Sequence, residues 1–275
     1  MKKLFLLLGA MMTFFGAQTA NAQNTFVDLG LPSGTLWATC NVGADNPAGD
    51  GYYLAWGETF EKSTYYDWEH YKYCKGTSKT LTKYCTVEEW SGNISMDGLT
   101  ELLPEDDAAT VNWGFEWQMP SKAQFEELFN SGYTTTEWTT LNGKNGMRIT
   151  SKSNGRSIFL PASGYKVDYT RKFYGEYGLY MSRSIHNQYP ATAYTAYFIY
   201  GDSKAVDNYG REAGYSVRPV RVQDEYTIYN IPEGWKVNGT TTSGTYQAKG
   251  GDAVHFTPKN IPSGKKIKSI KVVKK

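Results

Sequence analysis

The chain has 275 residues, with 29 Lys and Arg against 27 Asp and Glu, a formal net charge of +2, and 15% aromatic side chains. Such a balance argues against a protein that binds nucleic acid through its whole surface. Beyond the N-terminus, no apolar run approaches the roughly 20 residues a membrane-crossing helix needs.

Residues 1–22 read as a secretory signal. Lys2 and Lys3 form the positive start, Leu4 to Phe15 the apolar run, and Ala20-Asn-Ala22 the small-x-small cleavage site before Gln23. The expectation is an exported chain of 253 of the 275 residues, destined for periplasm, cell surface or medium. No cysteine follows the cleavage site, which argues against a bacterial lipid anchor. Loss of Lys2 and Lys3 leaves 27 basic and 27 acidic residues, unevenly spread: residues 249–275 carry eight lysines and only Asp252. That basic tail fits either an anionic partner or an edge strand whose lysines deter aggregation, and the second is the plainer reading.

After the signal, short strands alternate with Gly, Asn and Pro. Phe26–Leu29 and Thr35–Val42 predict a hairpin around Pro32-Ser-Gly34, and Tyr52–Trp56 an aromatic strand. Cys40 sits in an apolar run and reads as a buried thiol. Cys74 and Cys85 flank a polar segment, and a bridge between them would staple a surface hairpin, worth about 2–3 kcal/mol. A Cys40 bridge to either of them stays open, since spacing does not fix pairing.

Two helices follow. Glu105–Trp113 opens on Glu105, Asp106 and Asp107, which complement a helix N-terminal dipole. Ser121–Asn130 opens on a Ser121/Gln124 capping box, puts Phe125, Leu128 and Phe129 on one face, and stops at Gly132. Trp138–Leu141, Met147–Thr150 and Ser157–Leu160 predict a meander turned by Asn142-Gly143, Asn145-Gly146 and Asn154-Gly155. Tyr177–Ser182, Ala193–Tyr200 and Tyr215–Val222 predict further strands. A boundary near residue 224 separates a unit over 23–223 from a small all-β unit over 224–275. In the latter, Tyr226–Asn230, Trp235–Val237, Ala253–Thr257 and Ile267–Val273 read as strands.

Residues 165–215 hold eleven of the 22 tyrosines. A core does not need so many, because each buried hydroxyl must find a partner, whereas a recognition surface gains contact area at little conformational cost. Three groups carry the mixture suited to binding. The first is Tyr169, Arg171, Phe173, Tyr174 and Tyr177. The second is Arg183, His186, Asn187 and Tyr189. The third is Asp202, Lys204, Asp207, Asn208, Tyr209 and Arg211. Alternation along Tyr194–Tyr200 buries one of its two faces, so not every tyrosine is displayed. Arg218 and Arg221 read as structural, holding the closing strand against acidic neighbours.

Several phrases are similar to those of a known family. Val27-Asp-Leu-Gly-Leu-Pro-Ser-Gly-Thr-Leu-Trp-Ala-Thr-Cys-Asn-Val-Gly-Ala44, Tyr53-Leu-Ala-Trp-Gly-Glu58 and Asp106-Asp-Ala-Ala109 with Asn112-Trp-Gly114 come first. Trp117-Gln-Met-Pro-Ser-Lys122, Ser157-Ile-Phe-Leu-Pro-Ala162 and Ser216-Val-Arg-Pro-Val220 follow in order. Over about residues 26–222 the chain resembles the Fibrobacter succinogenes major paralogous domain, abundant in gut Bacteroidetes. The resemblance implies an α+β fold of C-type-lectin-like kind: mostly antiparallel sheets, two helices and long loops, related to the formylglycine-generating enzyme fold and to retroelement-diversified variable proteins. It implies extracellular ligand display. The chain departs from the pattern at Tyr180-Met-Ser-Arg-Ser184, where relatives carry Tyr-Trp-Ser-Ser-Ser, and at Gln118, where relatives often carry Arg.

Catalytic motifs are scarce. There is no Gly-x-Ser-x-Gly elbow, phosphate-cradling Gly-rich loop or His-Glu-x-x-His. His70, His186 and His255 lie on separate elements. Glu88-Glu89 and Asp106-Asp107 are the visible carboxylate pairs, and adjacent residues on a helix diverge. Asp106 and Asp107 are the weak candidates for calcium, and no cofactor is expected. The sequence therefore reads as a non-enzymatic exported binding protein for an extracellular protein or glycan. A structural subunit of a surface appendage is the alternative, and a formylglycine-generating-type or glycan-active enzyme stands third.

Overall fold

The computed structural model describes residues 25–92, 96–201, 203–222, 225–237, 240–249, 256–257 and 272–274. The expected signal segment, Asp202, His255 and most of the strand expected over Ile267–Val273 lie outside them. The strands, in chain order, are β1 (Phe26–Asp28), β2 (Thr35–Ala38), β3 (Thr134–Leu141), β4 (Lys144–Ser151), β5 (Ser157–Pro161), β6 (Tyr165–Val167), β7 (Thr170–Lys172), β8 (Tyr177–Ile185), β9 (Thr192–Ile199), β10 (Lys204–Gly210), β11 (Val220–Val222), β12 (Glu225–Val237), β13 (Thr240–Lys249), β14 (Phe256–Thr257) and β15 (Val272–Lys274). The helices are α1 (Ala108–Trp113) and α2 (Lys122–Leu128), with two 3₁₀ turns at Glu88–Trp90 and Pro104–Asp106. Paired strands run antiparallel throughout. Among the described residues the protein is thus mostly antiparallel β with two short helices.

Local chemistry accounts for the regular parts. Ser121 Oγ accepts from the Gln124 amide while the Gln124 side chain accepts from the Ser121 amide, so the capping box forms as expected. The helix ends at Leu128, ahead of Gly132, where the bonding shortens from Phe129 N on Phe125 O to Asn130 N on Glu127 O. Asp107 caps α1 by accepting from the Ala109 and Thr110 amides, each at 2.9 Å, so the helix expected from Glu105 begins at Ala108 after a 3₁₀ turn. Asn142 (φ 50°) and Gly143 (φ 77°) give the β3–β4 hairpin its left-handed turn. Asn145-Gly146 is no turn: it lies inside β4, and Gly146 pairs with Pro161 across to β5.

Three other sequence expectations change. Tyr52–Trp56 makes a single bridge, Leu54 to Tyr215, rather than a strand. Tyr215–Val222 pairs regularly only over β11, where it adds to β2 on the side opposite β1. The Cys74–Cys85 bridge is absent. Cys74 pairs with Leu81 across a bridge and its thiol donates to Trp68 O at 2.9 Å. Tyr84 (φ 57°) turns the chain away, and the Cys85 thiol donates to Val87 O at 3.2 Å.

The sheet β8-β9-β10 is central because both its faces are covered. Side chains alternate along a strand. Leu179 and Met181 therefore join one cluster, around Trp56, Tyr84 and Tyr215, while Tyr180 enters another with Trp37, Phe125, Met147, Leu160 and Phe198. Met181 is buried. Gly178 is required there, since any side chain would strike the Phe198 ring. Strands β12–β15 pair only with one another, around Ile231 and Val237.

Candidate functional site

The tyrosine-dense segment divides by depth. Of its eleven tyrosines, Tyr180 and Tyr215 are buried, five are half-buried, and Tyr169, Tyr174, Tyr189 and Tyr200 are exposed. The exposed rings sit on turns, and the turns are held by the sheets beneath them.

The first group is the best organised. The β6–β7 hairpin turns through Asp168 (φ 52°) and leaves through Phe173 (φ 51°), a left-handed conformation uncommon for a bulky residue. Ring contacts hold Phe173 in place: it stacks on Tyr177 at 4.6 Å and on Tyr165 at 6.1 Å, and Tyr165 in turn stacks on buried Tyr215. The backbone is tied at several points. Gly175 N donates to Ala162 O at 2.8 Å, Gly164 N to Tyr177 O at 2.7 Å, and Lys166 and Gly214 exchange bonds of 2.8 and 2.9 Å. Asp168 exchanges bonds with Tyr66, which brings Tyr65 against Tyr169 with ring centroids 3.8 Å apart.

Charge gathers beside this turn. The Arg171 guanidinium lies 3.5 Å over the Tyr174 ring, and the Lys144 ammonium 4.5 Å from it. Both cations reach Asp50 Oδ2, at 3.3 and 3.0 Å, and Lys144 also donates to Tyr174 Oη. Asp50 Oδ1 is buried with no hydrogen bond. Arg171 further touches Tyr53 Oη at 3.5 Å. Burial pushes the Tyr53 hydroxyl up to about 12, so it stays a donor, to Ser163 O at 2.6 Å. The result is an exposed ring with the Arg171 guanidinium over its face and the Lys144 ammonium at its hydroxyl, both held by one carboxylate.

The second group is partly anchored. Arg183 is half-buried, pairs with Glu101 at 3.0 Å and donates to Gln118 Oε1. His186 Nδ1 accepts from the Gln188 and Tyr189 amides at 3.3 and 3.2 Å, which fixes the ring against Tyr189 and Tyr194. Asn187 is exposed, and its carbonyl accepts from Thr86 Oγ1 at 2.8 Å. Tyr189 projects outward.

The third group is corrected by the structure. Lys204, Asp207, Asn208 and Tyr209 lie on strand β10 rather than on a loop. Asp207 faces out, Asn208 is half-buried, and Tyr209 packs toward Tyr197 and Tyr215. Lys204 donates to Thr136 Oγ1 at 2.9 Å. Arg211, expected at the surface, is fully buried, with bonds to Tyr71 Oη and to the carbonyls of Lys83, Tyr84 and Pro190 at 2.7–3.1 Å. Arg218 is likewise buried, but on Asn41 Oδ1 and the carbonyls of Ala38, Thr39 and Phe159 rather than on acidic neighbours. Arg221 does meet an acid, Glu116, at 3.2 Å.

The calcium candidates are also corrected. Asp107 is consumed by its cap and by the Met119 amide. Asp106 is ringed by donors: Lys83 at 2.5 Å, Lys72 at 3.3 Å, Tyr84 Oη at 2.6 Å and Tyr73 Oη. Burial alone would raise its pKa, but these donors win and bring it to about 2. Two ammonium groups occupy the place a cation would need. Among the described residues no group of three or more His, Cys, Asp or Glu is arranged to hold a metal ion, and no helix is long and apolar enough to cross a membrane.

Sequence reasoning missed Asp50, Lys144, Trp138 and Tyr65, which lie well before the dense segment and meet it only in space. Trp138, on the second strand-like stretch before an Asn-Gly turn, was the one with a signal of its own. Compared with protein-family models, with curated proteins and with solved structures, the chain matches none of them.

Proposed function

We propose that this is an exported, non-enzymatic binding protein of C-type-lectin-like fold that grips a protein or glycan through the turn around residues 169–177 and the Asp50, Lys144 and Arg171 charges beside it. One observation carries the reading. Exposed Tyr169, Phe173 and Tyr174 stand on a backbone tied at both ends into the sheets, with the Arg171 guanidinium already stacked on Tyr174. Rigid aromatic rings beside Arg are the side chains that bind at low entropic cost. The similarity of residues 26–222 to the major paralogous domain, a family of exported proteins, supports the same reading, as does the scarcity of catalytic motifs.

The test is binding of the full exported chain to printed arrays of oligosaccharides and of extracellular proteins. The expected result is one or more hits that weaken at least about tenfold in Arg171→Ala with Tyr174→Ala, while thermal unfolding is unchanged. Arrays without hits, or hits indifferent to both substitutions, overturn the reading. Self-assembly through this face would put a structural subunit in its place.

A further inference from the structure

The 173–177 turn has a second side. Between it, the β3–β4 hairpin and the end of β9 lies an open groove of about 420 Å³, lined by Trp138, Asn145, Glu176, Tyr177, Ile199 and Tyr200. That volume is within the roughly 300–1,000 Å³ typical of small-molecule sites. The Trp138 and Tyr200 rings stand at 90° with centroids 5.8 Å apart, forming a corner. Trp138 is backed by buried Phe198, so this wall is stiff. Tyr200 is 77% exposed and would lose that exposure to any occupant.

We infer that this groove is a subsite for an uncharged hexopyranose ring. An aromatic face is electron-rich and accepts the polarised C–H bonds on one face of a sugar, whereas the hydroxyls around the ring demand hydrogen bonds at the rim. The rim offers them. Trp138 Nε1, Tyr177 Oη, Tyr200 Oη and the Glu176 carboxylate make no hydrogen bond to any described residue. Asn145 is held in place by donating to Gly175 O and accepting from Thr140 Oγ1, both at 3.1 Å, and keeps one N–H and one lone pair. Four interior tyrosines behave in the opposite way: the hydroxyls of Tyr71, Tyr73, Tyr84 and Tyr180 are bonded.

Charge selects among sugars. Among the described residues Glu176 is the one charged residue lining the groove, so a uronate or sialate would meet a like charge. A second groove, around Phe60, has both its lysines spent: Lys62 pairs with Glu58 at 3.0 Å and donates to His70 O at 2.7 Å, and Lys72 pairs with Asp106 at 3.3 Å. It lacks the aromatic corner.

This inference rests on reading the 173–177 turn as a recognition element. Its test is titration of the ¹⁵N-labelled exported chain with methyl β-glucopyranoside, methyl β-galactopyranoside and methyl α-mannopyranoside, with methyl β-glucuronide as the charged control. At least one neutral glycoside should shift the Trp138 indole N–H and the Gly175–Tyr177 amides saturably. The glucuronide should bind at least about fivefold more weakly. Tyr200→Ala, at an exposed position that leaves folding intact, should weaken the response at least about tenfold, as should Trp138→Ala. No saturable shift with any neutral glycoside, or a response kept within about twofold in Tyr200→Ala, overturns the subsite. Array hits that depend on Arg171 together with a silent groove sink the subsite alone, whereas silence in both experiments sinks the surface reading as well.

Discussion

Arg211 and Arg171 are the same residue among the same kinds of neighbour, in opposite states. Arg211 lies over the Trp56 and Tyr71 rings with its donors on a hydroxyl and three carbonyls, and none of it reaches solvent. Arg171 lies over Tyr174 with its side chain 40% exposed and two contacts, to Asp50 and Tyr53, at 3.3 and 3.5 Å. The carboxylates divide the same way: Asp106 is saturated by four donors, while Asp50 keeps one oxygen unbonded. A Tyr, Arg and Asp cluster is therefore scaffold where its hydrogen bonds are complete, and the proposed recognition surface is the one where they are not.

The largest effect should come from emptying the saturated site. Arg211→Ala strands three buried carbonyls and should cost about 4 kcal/mol, lowering Tm by roughly 10 °C. Arg211→Lys should recover only part of this, because an ammonium cannot span the same fork. A loss under about 1 kcal/mol in thermal unfolding would erase the contrast between the arginines.

Asp106→Asn should come next, at about 2–3 kcal/mol, since it weakens bonds from two ammoniums and two hydroxyls. The native carboxyl titrates near 2 and the unfolded one near 4. In that window the unfolded chain holds more protons, so this stabilisation is complete above about pH 4 and lost as pH falls toward 2. Acid unfolding curves of the Asn variant should be flatter there, and a parallel curve would assign the acid limb to other groups.

The smallest effect on stability should follow Tyr174→Ala, within about 0.5 kcal/mol by denaturant unfolding, although the same change should abolish ligand capture. A cost above about 2 kcal/mol would make Tyr174 scaffold and sharpen the comparison against the outer cluster.

Local signals were legible. The Ser121/Gln124 box, the Asn142-Gly143 turn and the meander it opens each depend on residues a few positions apart, and each formed. Arg211 was not legible, because its carbonyl partners lie 127, 128 and 21 residues away and a backbone carbonyl has no side-chain signature. The expected cysteine staple failed for a related reason: spacing alone does not show that Tyr84 would take a left-handed turn between Cys74 and Cys85. The candidate surface was half legible. Its aromatic turn stood out by composition, but Asp50 and Lys144 reach it across 121 and 30 residues.

The three-stranded sheet in which β2 lies between β1 and β11 has a mechanical consequence. Phe26 pairs with Ala38 at one end of β2, and Val222 with Thr35 at the other. Tension between the entry at Phe26 and the exit at Val222 would drag β1 and β11 in opposite directions along β2. The hydrogen bonds, perpendicular to the pull, would be loaded together in shear rather than peeled one by one. The aromatic turns lie off that load path, so tension along the chain would strain the sheet and leave those turns undistorted.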